Sequence, residues 1–371
     1  MQVRTQNTFL PAHAVGIDIA DGSIELVNLG SRRDGTPVVI DAARIVLEPH
    51  TITHGVITDE PALDEAFRDL LSKARLSPEM HAVVSALPDE QVIVKTIPWE
   101  HAKRLSREEL MAHADHAYRL LRIRIRGPVM RWQYHTHHKT NQPELVLYIT
   151  QQKFIDQWGG FFARHSMRLT ALEMESHALA RSLLATLTHH EDHERVLLVD
   201  FGFRQTNISL FDSAGLCYSH SIDGGGFGLT QALASRLHMT FEQAEAVKQR
   251  SRLTGSGAND VTAVLQAAME ETLTAIRASV QSYHRPARSV VITGGGSKLP
   301  GLRTMAQKIL GRPVKRGSLA SLGQQRPAVA LDRSPLQPRH AHLYAGALGL
   351  ALRGADRTSL VRGINFLPEG A

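Results

Sequence analysis

The chain has few of the residues that mark disulfide-rich, membrane-spanning or secreted proteins. Its 371 residues include one cysteine, Cys217, which excludes an intramolecular disulfide framework and a cysteine-based metal cluster and favours a reducing compartment such as the cytoplasm. No uninterrupted apolar run reaches about 18 residues, and the opening MQVRTQNTFL has no apolar stretch of signal-peptide length. We therefore expect a cytoplasmic chain that neither spans a membrane nor carries a secretory signal.

Basic residues are in modest excess and unevenly placed. The 42 Lys and Arg residues exceed the 36 Asp and Glu residues, which gives a formal net charge of +6, and the stretch from Arg119 to Lys139 contains no acid. Arg122, Arg124 and Arg126 alternate there with apolar residues, which predicts a half-buried strand with a solvated basic face. The alternative is a surface that faces a partner or lipid. Nucleic acid is not among the partners that we expect.

Two strand-turn-strand units have matching layouts. VGIDIADGSIELVNLG begins at Val15 and LLVDFGFRQTNISLF begins at Leu197. In each unit an apolar strand ends in an aspartate, a tight turn follows, and an alternating strand comes next. The aspartates, Asp18 and Asp200, are 182 positions apart. This internal repeat predicts two related lobes.

The segments between and after the repeats predict the remaining domain organisation. We expect a first lobe over residues 1–54, a compact α+β insertion over 55–165, a connecting helix over 166–195, a second lobe over 196–352 and a C-terminal tail over 353–371. Ala341 to Arg353 contains mainly small and apolar residues, and predicts a helix that packs tightly against another element.

The paired aspartates are candidate magnesium ligands. A phosphate chain needs backbone amides that point inward, and a metal-bound phosphate needs carboxylates at strand ends. If the lobes close on each other, Asp18 and Asp200 meet in one cleft and hold Mg²⁺, mostly through water. The alternative is that each is an ordinary turn residue.

Other polar and glycine residues fit the same cleft. Gly202 allows close approach of a phosphate, and Thr206 is a candidate hydrogen-bond donor. The triplet Gly294–Gly296 follows an apolar strand, where a flat adenine or sugar lies against main chain. Glu245 and Lys248 lie three residues apart on one predicted helix face, either as a surface ion pair or as ligands for ribose and phosphate.

Taken in order, these segments resemble the superfamily of actin-like, chaperone and sugar-kinase ATPases, and within it the PilM family of type IV pilus assembly. The resemblance covers nearly the whole chain. GIDIADGSIELVNL is similar to the family's opening hairpin, VVSALPDEQVIVKTIPWE to its inserted subdomain and LEMESHALARSLL to its connecting helix. DGGGFGLTQALASRLHMTFEQAEAVK and ITGGGSKLPGLRTMAQKILGRPV follow the family in residue type and order.

The resemblance implies a fold, a ligand and a site. The implied fold class is α/β: an actin-like, two-lobed ATPase with ribonuclease H-like duplicated lobes and an inserted α+β, SHS2-like subdomain. The implied cofactors are ATP and Mg²⁺, with the metal near Asp18 and Asp200. The implied cofactor-binding residues are Asp18, Ser23, Asp200, Gly202, Thr206, Glu245, Lys248, Gly294, Gly295, Gly296 and Ser297.

The first phosphate turn departs from the family pattern. Ala20, Asp21 and Gly22 replace a turn that is often Gly-Ser-Ser-like, and Glu25 replaces a frequent Lys. A carboxylate in a phosphate loop repels the anion unless a metal or a basic neighbour offsets it. The sequence therefore leaves both nucleotide binding and hydrolysis open.

The resemblance also implies partners. The implied function is a cytoplasmic, ATP-binding scaffold that binds the N-terminal tail of a PilN-like inner-membrane protein and so lies at the membrane's inner face. Other pilus assembly components and a second copy of the chain are further implied partners. Ile364 to Pro368 reads INFLP, similar to the Asn-centred apolar motif of PilN tails. One hypothesis is that this segment occupies the groove of a neighbouring subunit; the alternative is an ordinary terminal strand.

Proteins of several classes share these features. A small-molecule kinase of the same superfamily needs a catalytic base between the lobes, and no convincing motif for one is present. A cell-division actin homologue of the FtsA type needs an amphipathic membrane-binding tail, whereas TSLVRGINFLPEGA has one basic residue. MshI proteins and the cytoplasmic half of GspL share the fold, and the sequence does not separate them.

Overall fold

The computed structural model describes residues 13–33, 36–77, 82–98, 112, 118–119, 124–136, 143–184, 195–212, 214–253, 260–282, 287–319, 336, 341–355 and 363–368. The strands are β1 His13–Ile19, β2 Ser23–Ser31, β3 Pro37–Val46, β4 Ile52–Thr53, β5 Val56–Ile57, β6 Ala82–Leu87, β7 Ile93–Pro98, β8 Pro128–Thr136, β9 Pro143–Gln151, β10 Arg168–Met174, β11 Val196–Phe201, β12 Gln205–Asp212, β13 Gly215–Asp223, β14 Ser289–Thr293 and β15 Val314–Arg316. The helices are α1 Glu60–Lys73, α2 Gln152–Arg164, α3 Glu175–Leu183, α4 Gly226–Leu237, α5 Phe241–Arg250, α6 Asp260–Ser282, α7 Leu302–Leu310 and α8 Ala345–Ala355. Within these ranges, no helix combines the length and the apolar composition needed to cross a bilayer.

The first lobe contains a five-stranded sheet. Its strand order is β10-β6-β1-β2-β3. β1 and β2 form an antiparallel hairpin, β6 runs parallel to β1, and β10 runs parallel to β6. Helices α1, α3 and α8 contribute apolar side chains to the core of this lobe. The hairpin turn at residues 20–22 therefore lies at the end of a central, buried strand.

Helix α1 shows how local sequence fixes an element of this lobe. Asp59 caps its N-terminus, because the carboxylate accepts a hydrogen bond from Ala62 N at 3.0 Å. The buried face includes Leu63 and Phe67, and the Phe67 ring packs edge-on against Phe161 of α2 with ring centroids 4.9 Å apart. Helices α1 and α2 thus pack together on the first lobe.

The second lobe repeats the topology of the first. Its strand order, read from the equivalent edge, is β15-β14-β11-β12-β13. β11 and β12 form the antiparallel hairpin, β14 runs parallel to β11, and β15 runs parallel to β14. Asp18 and Asp200 occupy the same place, one residue before the end of β1 and β11. The predicted two-lobed α/β fold with duplicated lobes is confirmed.

A separate three-stranded antiparallel sheet, ordered β7-β9-β8, lies between β6 and α2 in sequence. The predicted insertion over 55–165 is wider than this sheet. Helix α1 and strand β6, both inside the predicted range, belong to the first lobe. The sequence pattern shows only that a strand is buried, whereas its backbone pairing decides which sheet it joins. In the same way, the predicted connecting helix over 166–195 contains strand β10 before helix α3.

Helix α8 packs on the first lobe, although the predicted range 196–352 placed most of it in the second. Its backbone comes so close to β1 that a Cβ on Gly16 would overlap Ala347 O. A Cβ on Gly349 would likewise overlap Ala178 O of α3. The small residues of α8 are therefore required by close packing on both sides. Because α8 extends to Ala355, the predicted tail boundary at 353 falls inside this helix.

The segment Gly363–Pro368 lies against its own chain. Phe366 N donates to Leu172 O of β10 at 2.8 Å, and Arg131 of β8 donates to the carbonyls of Asn365, Phe366 and Leu367. The segment therefore occupies a groove of its own chain, and its placement in a neighbouring subunit stays a hypothesis. The strand predicted through Arg122, Arg124 and Arg126 begins later in the structure, since Arg124 and Arg126 precede β8, which starts at Pro128. Residues 120–123 lie outside the described part of the chain.

Candidate nucleotide-binding cleft

The two repeated aspartates are buried against glycine backbone. Asp18 is 9% exposed and Asp200 is 8% exposed. A Cβ on Gly346, near the start of α8, would overlap Asp18 Oδ2, and a Cβ on Gly294 would overlap Asp200 Oδ1. Gly294 also has a φ of 78°, a conformation that glycine adopts without steric cost. Each carboxylate therefore occupies space that is available only because the neighbouring residue is a glycine without a side chain.

The structure brings these aspartates into one cluster of acids. Burial raises the pKa of Asp18 well above its ordinary value, and the charges of Glu25, Asp200 and Asp89 raise it further. Burial likewise raises the pKa of Asp200 to about 7 and that of Asp89 to about 6. The pKa of Glu175 is raised by burial and then by Asp18 and Asp200. Such a group of buried, mutually repelling carboxyls is stabilised by a cation.

Asp89 connects the two lobes at this cluster. Its Oδ1 accepts from Ser176 N at 3.0 Å, at the start of α3, and its Oδ2 accepts from Ser209 Oγ of β12 at 3.3 Å. Neither Asp89 nor Glu175 is among the site residues predicted from the sequence. A signal was present, because Glu175 directly follows the apolar strand β10 and Asp89 follows β6 after Pro88, so both lie near strand ends as Asp18 and Asp200 do.

Glu25 is paired with a basic residue. It lies opposite Arg44 in the β2–β3 register, and Arg44 Nε donates to Glu25 Oε1 at 2.6 Å. Burial raises the pKa of Glu25, and Arg44 and the hydroxyl of Ser23 oppose that shift. Lys298 also interacts with this pair. Burial and the charge of Arg44 lower the pKa of Lys298, and the charge of Glu25 opposes that shift. The Glu25 carboxylate is therefore partly offset by two cations.

The turn of the second hairpin supports the start of α4. Gly202 N donates to Gln205 O at 3.0 Å, and Gly226 N donates to Gly202 O at 3.0 Å. The predicted phosphate donor Thr206 is fully buried, and its hydroxyl donates to Gly224 O at 2.7 Å. That hydroxyl is thus already engaged in a hydrogen bond within the second lobe.

Glu245 and Lys248 form one polar contact between α5 and α4. Lys248 Nζ donates to Gly226 O, Thr230 Oγ1 and Glu245 Oε2, each at 2.7 Å. Burial raises the pKa of Glu245, but hydrogen bonds from Lys248 and Thr230 outweigh it and hold the pKa below its ordinary value. All three protons of the Lys248 ammonium are accounted for, so its role in this conformation is to fasten α5 to α4.

The glycine triplet combines a close contact with an open position. A Cβ on Gly296 would lie 2.8 Å from Phe201 Cβ, whereas a Cβ on Gly295 would meet no atom within 4 Å. The Ser297 hydroxyl donates to Gly294 O at 2.7 Å and fixes the turn. Gly295 is therefore where main chain faces free space beside Asp200.

The two hairpin turns contact each other directly. Asp21 accepts hydrogen bonds from His54 N at 2.8 Å and Gly55 N at 2.9 Å, and Arg204 Nε of the second hairpin lies 3.2 Å from its Oδ2. A Cβ on Gly22 would lie 2.7 Å from the Phe203 ring. Asp21 thus bridges the lobes.

Comparison with known families decides the relationship of this chain. A family model described as type IV pilus assembly protein PilM matches residues 16–355. The chain belongs to the PilM family. A solved PilM–PilN type IV pilus biogenesis complex contains a chain with the same fold, at 21% sequence identity and a TM-score of 0.76, over 93% of this chain and 100% of that one.

More distant relatives share the actin-like fold of this PilM-family chain. EutJ from Carboxydothermus hydrogenoformans is 19% identical, with a TM-score of 0.55 over 93% of this chain and 91% of that one. MreB 5 of Spiroplasma citri, solved bound to AMPPNP, is 14% identical, with a TM-score of 0.50 over 85% of this chain and 93% of that one. These likenesses establish the fold.

Matches to curated sequences are partial. The cell division protein FtsA of Agrobacterium fabrum is 32% identical over 162 residues, or 36% of this chain and 37% of FtsA. FtsA of Bacillus subtilis is 26% identical over 168 residues, or 38% of each. The chain thus spans little more than a third of the curated relatives it matches. Because the PilM model covers far more of the chain, the cell-division alternative is not favoured.

Proposed function

We propose that this PilM-family chain is an ATP-binding scaffold of type IV pilus assembly that binds the N-terminal tail of a PilN-like inner-membrane protein. The family match carries the proposal, and the fold shared with the chain of the PilM–PilN complex supports it. Binding to such a partner would hold the chain at the inner face of the inner membrane.

The proposed ligand of the cleft is Mg²⁺ with ATP. Carboxylate oxygens are the ligands that Mg²⁺ prefers, and a cation would offset the charge of Asp18 and Asp200, whose pKa values burial raises. Among the described residues, no three His, Cys, Asp or Glu side chains are grouped closely enough to hold a metal ion by themselves, which is why the metal is proposed to bind mostly through water. Asp18 and Asp200 would hold the metal, mostly through water. When bound, the metal ion would neutralise the phosphate charge that these acids otherwise repel.

The remaining predicted ligands divide into direct and supporting roles. Gly295 borders free space and is the position where an adenosine would lie against main chain. Gly202 and Lys248 would position the turn and the start of α4, since Gly202 O accepts from Gly226 N and Lys248 donates to Gly226 O. Thr206, Ser297 and Ser23 would support the main chain or Glu25 with their hydroxyls. The proposal is for binding, which fixes the closure of the lobes.

A thermal-shift titration tests the nucleotide part. We expect Mg-ATP to raise the melting temperature, because a ligand that binds only the native state adds about 2.7 kcal/mol at a hundredfold excess over its dissociation constant. Asp200→Asn should reduce the shift, whereas Asp69→Asn, an exposed acid on α1, should leave it unchanged. A titration with ATP in the presence of a metal chelator distinguishes the effect of the nucleotide on the melting temperature from the effect of the metal. Equal shifts for Asp200→Asn and the unaltered chain would exclude the proposed metal site.

Calorimetry tests the partner part. A synthetic PilN N-terminal peptide from the same bacterium is titrated into the chain with and without Mg-ATP. Heat of binding that a sequence-scrambled peptide does not produce is the expected result. If neither the chain nor its Mg-ATP complex binds the peptide, the proposed partner is wrong.

A further inference from the structure

The segment Gly363–Pro368 lies in a groove between two sheet edges. β10 is the outer strand of the first-lobe sheet, and β8 is the outer strand of the three-stranded sheet. Edge strands present unpaired backbone groups that another strand or peptide can use. Leu172 of β10 uses both of its groups here: its N–H donates to Asn365 Oδ1 at 3.0 Å, and its carbonyl accepts from Phe366 N at 2.8 Å. The segment therefore caps an edge of the first lobe.

The opposite wall of the groove contributes the charged side chain of Arg131. Arg131 of β8 donates from Nε to Asn365 O at 2.8 Å, and from Nη2 to Phe366 O at 2.8 Å and Leu367 O at 2.9 Å. Hydrogen bonds from a guanidinium are stronger than those between neutral groups. Because all three acceptors are main-chain carbonyls, Arg131 recognises the path of a backbone.

Side chains of the segment supply the specificity. Asn365 Oδ1 also accepts from Leu367 N at 3.1 Å, so this amide both turns the segment and pairs it with β10. Ile364, Phe366 and Leu367 are 6%, 1% and 7% exposed, whereas Pro368 is exposed. The groove therefore fits an apolar residue, an asparagine and two further apolar residues, in that order.

Gly363 lies where the segment enters the groove. A Cβ at this position would overlap Glu173 Oε2 and lie 2.6 Å from Arg353 Nη1. Glu173 cannot move aside easily, because it is buried and accepts hydrogen bonds from Arg181 at 2.7 Å and Arg353 at 2.6 Å. The segment thus enters past a fixed ion cluster that joins β10, α3 and α8.

We propose that Ile364–Leu367 is an intramolecular competitor for the peptide that this groove binds. The contacts are made by these four residues themselves, so a separate extended peptide with the same pattern presents the same groups. The occupant that the segment excludes is a tail of this pattern on the PilN-like partner, a point that rests on the proposed function. Release of the segment opens the groove to the partner.

Fluorescence anisotropy with a labelled peptide of residues 361–368 tests this proposal. The full chain, whose groove is filled, should bind the peptide about tenfold or more weakly than a chain truncated after Gly363. Asn365→Ala should lie between the two, because it removes the amide that pairs with Leu172. Pro368→Ala, an exposed position in the same segment, is the matched control and should behave as the full chain.

One further variant and one further measurement make the result decisive. Arg131→Ala in the truncated chain should lose about tenfold or more of the peptide affinity. Truncation removes the buried Phe366, so its melting temperature is measured alone and with unlabelled peptide, and the peptide should raise it. Equal affinity in full and truncated chains, or no binding by a folded truncated chain and by Asn365→Ala, overturns the proposal.

Competition with the PilN peptide separates this inference from the proposed function. Displacement of the labelled peptide from the truncated chain supports the shared groove. If the PilN peptide binds without displacing the labelled peptide, the proposed partner is supported and the proposed competition is wrong. If the 361–368 peptide binds but the PilN peptide does not, the groove stands as a site for the chain's own segment, while the PilN-like partner and the claim of competition fail.

Discussion

At the scale of single residues, the cleft is dominated by carboxyl groups whose pKa values are raised by burial. Asp18, Glu25, Asp89, Glu175 and Asp200 all have raised pKa values, and burial is the largest cause for each. Arg44 and Lys298 offset part of the charge around Glu25. Ionising the whole cluster therefore costs free energy unless a cation is present.

This cluster predicts that the metal-free protein loses stability as the pH rises. The pKa of Asp200 is about 7 against an ordinary 3.8, so the folded state binds more protons than the unfolded state between those values. The free energy of unfolding should then fall from about pH 5.5 to about pH 7.5. Urea denaturation in chelator at the two pH values measures this.

Substitution of Asp200 provides the control for the pH effect. Asp200→Asn should show a smaller fall and should exceed the unaltered chain in stability at about pH 7.5, because it removes one repelling charge. Added Mg²⁺ should flatten the profile of the unaltered chain if the cluster binds the metal. A free energy of unfolding that rises over this range would contradict the raised pKa values.

At the scale of elements, α8 illustrates how small residues determine packing. Its backbone contacts β1 and α3 at distances that exclude a side chain at Gly16 and at Gly349. Gly346 leaves room for the Asp18 carboxylate near the start of the same helix. One helix therefore positions an acid of the cleft and closes the core of the first lobe.

We predict that Gly16→Ala destabilises the protein by about 3 kcal/mol or more, since its Cβ would overlap backbone atoms of α8 that cannot move independently. Gly159→Ala is the matched control. It lies in α2, where a Cβ meets no atom within 4 Å, and should stabilise by about 0.5–1 kcal/mol through helix propensity. Equal effects in chemical denaturation would show that α8 does not pack as described.

At the scale of the whole molecule, the two lobes are joined by contacts between their hairpin turns. Asp21 accepts from two backbone amides and pairs with Arg204, and the Phe203 ring packs on Gly22. Arg204 also lies over the Phe227 ring at 4.5 Å. Asp89 adds a bond from the first lobe to Ser209. The contact between the two lobes is thus stabilised by residues of the protein itself.

We predict that Asp21→Ala weakens this closure. It leaves the amides of His54 and Gly55 without their hydrogen-bond acceptor and the largely buried Arg204 without its ion-pair partner, a loss of about 1–3 kcal/mol. Hydrogen exchange at residues 20–22 and 203–205 should become faster in the nucleotide-free protein. Asp69→Ala, exposed on α1, should not change it. Unchanged exchange in Asp21→Ala would mean that the turns are held by other contacts.

The sequence determined much of the architecture. Local patterns are enough to identify the duplicated hairpins, because an apolar strand that ends in an acid before a tight turn is fixed by nearest neighbours. The capping box at the start of α5, in which Gln243 N donates to Thr240 Oγ1 at 3.3 Å, is likewise formed by residues that are close in sequence. The repeat spacing placed Asp18 and Asp200 at equivalent strand ends.

Only the tertiary structure decided which elements share a sheet and which side chains share a cluster. β6 and α8 join the first lobe, Asp89 and Glu175 enter the acid cluster, and Ile364–Leu367 lies between β8 and β10. The physical reason is that these contacts join residues tens to hundreds of positions apart. Burial and periodicity are local properties of a segment, whereas a pKa, a strand partner or a groove depends on what the rest of the chain places beside it.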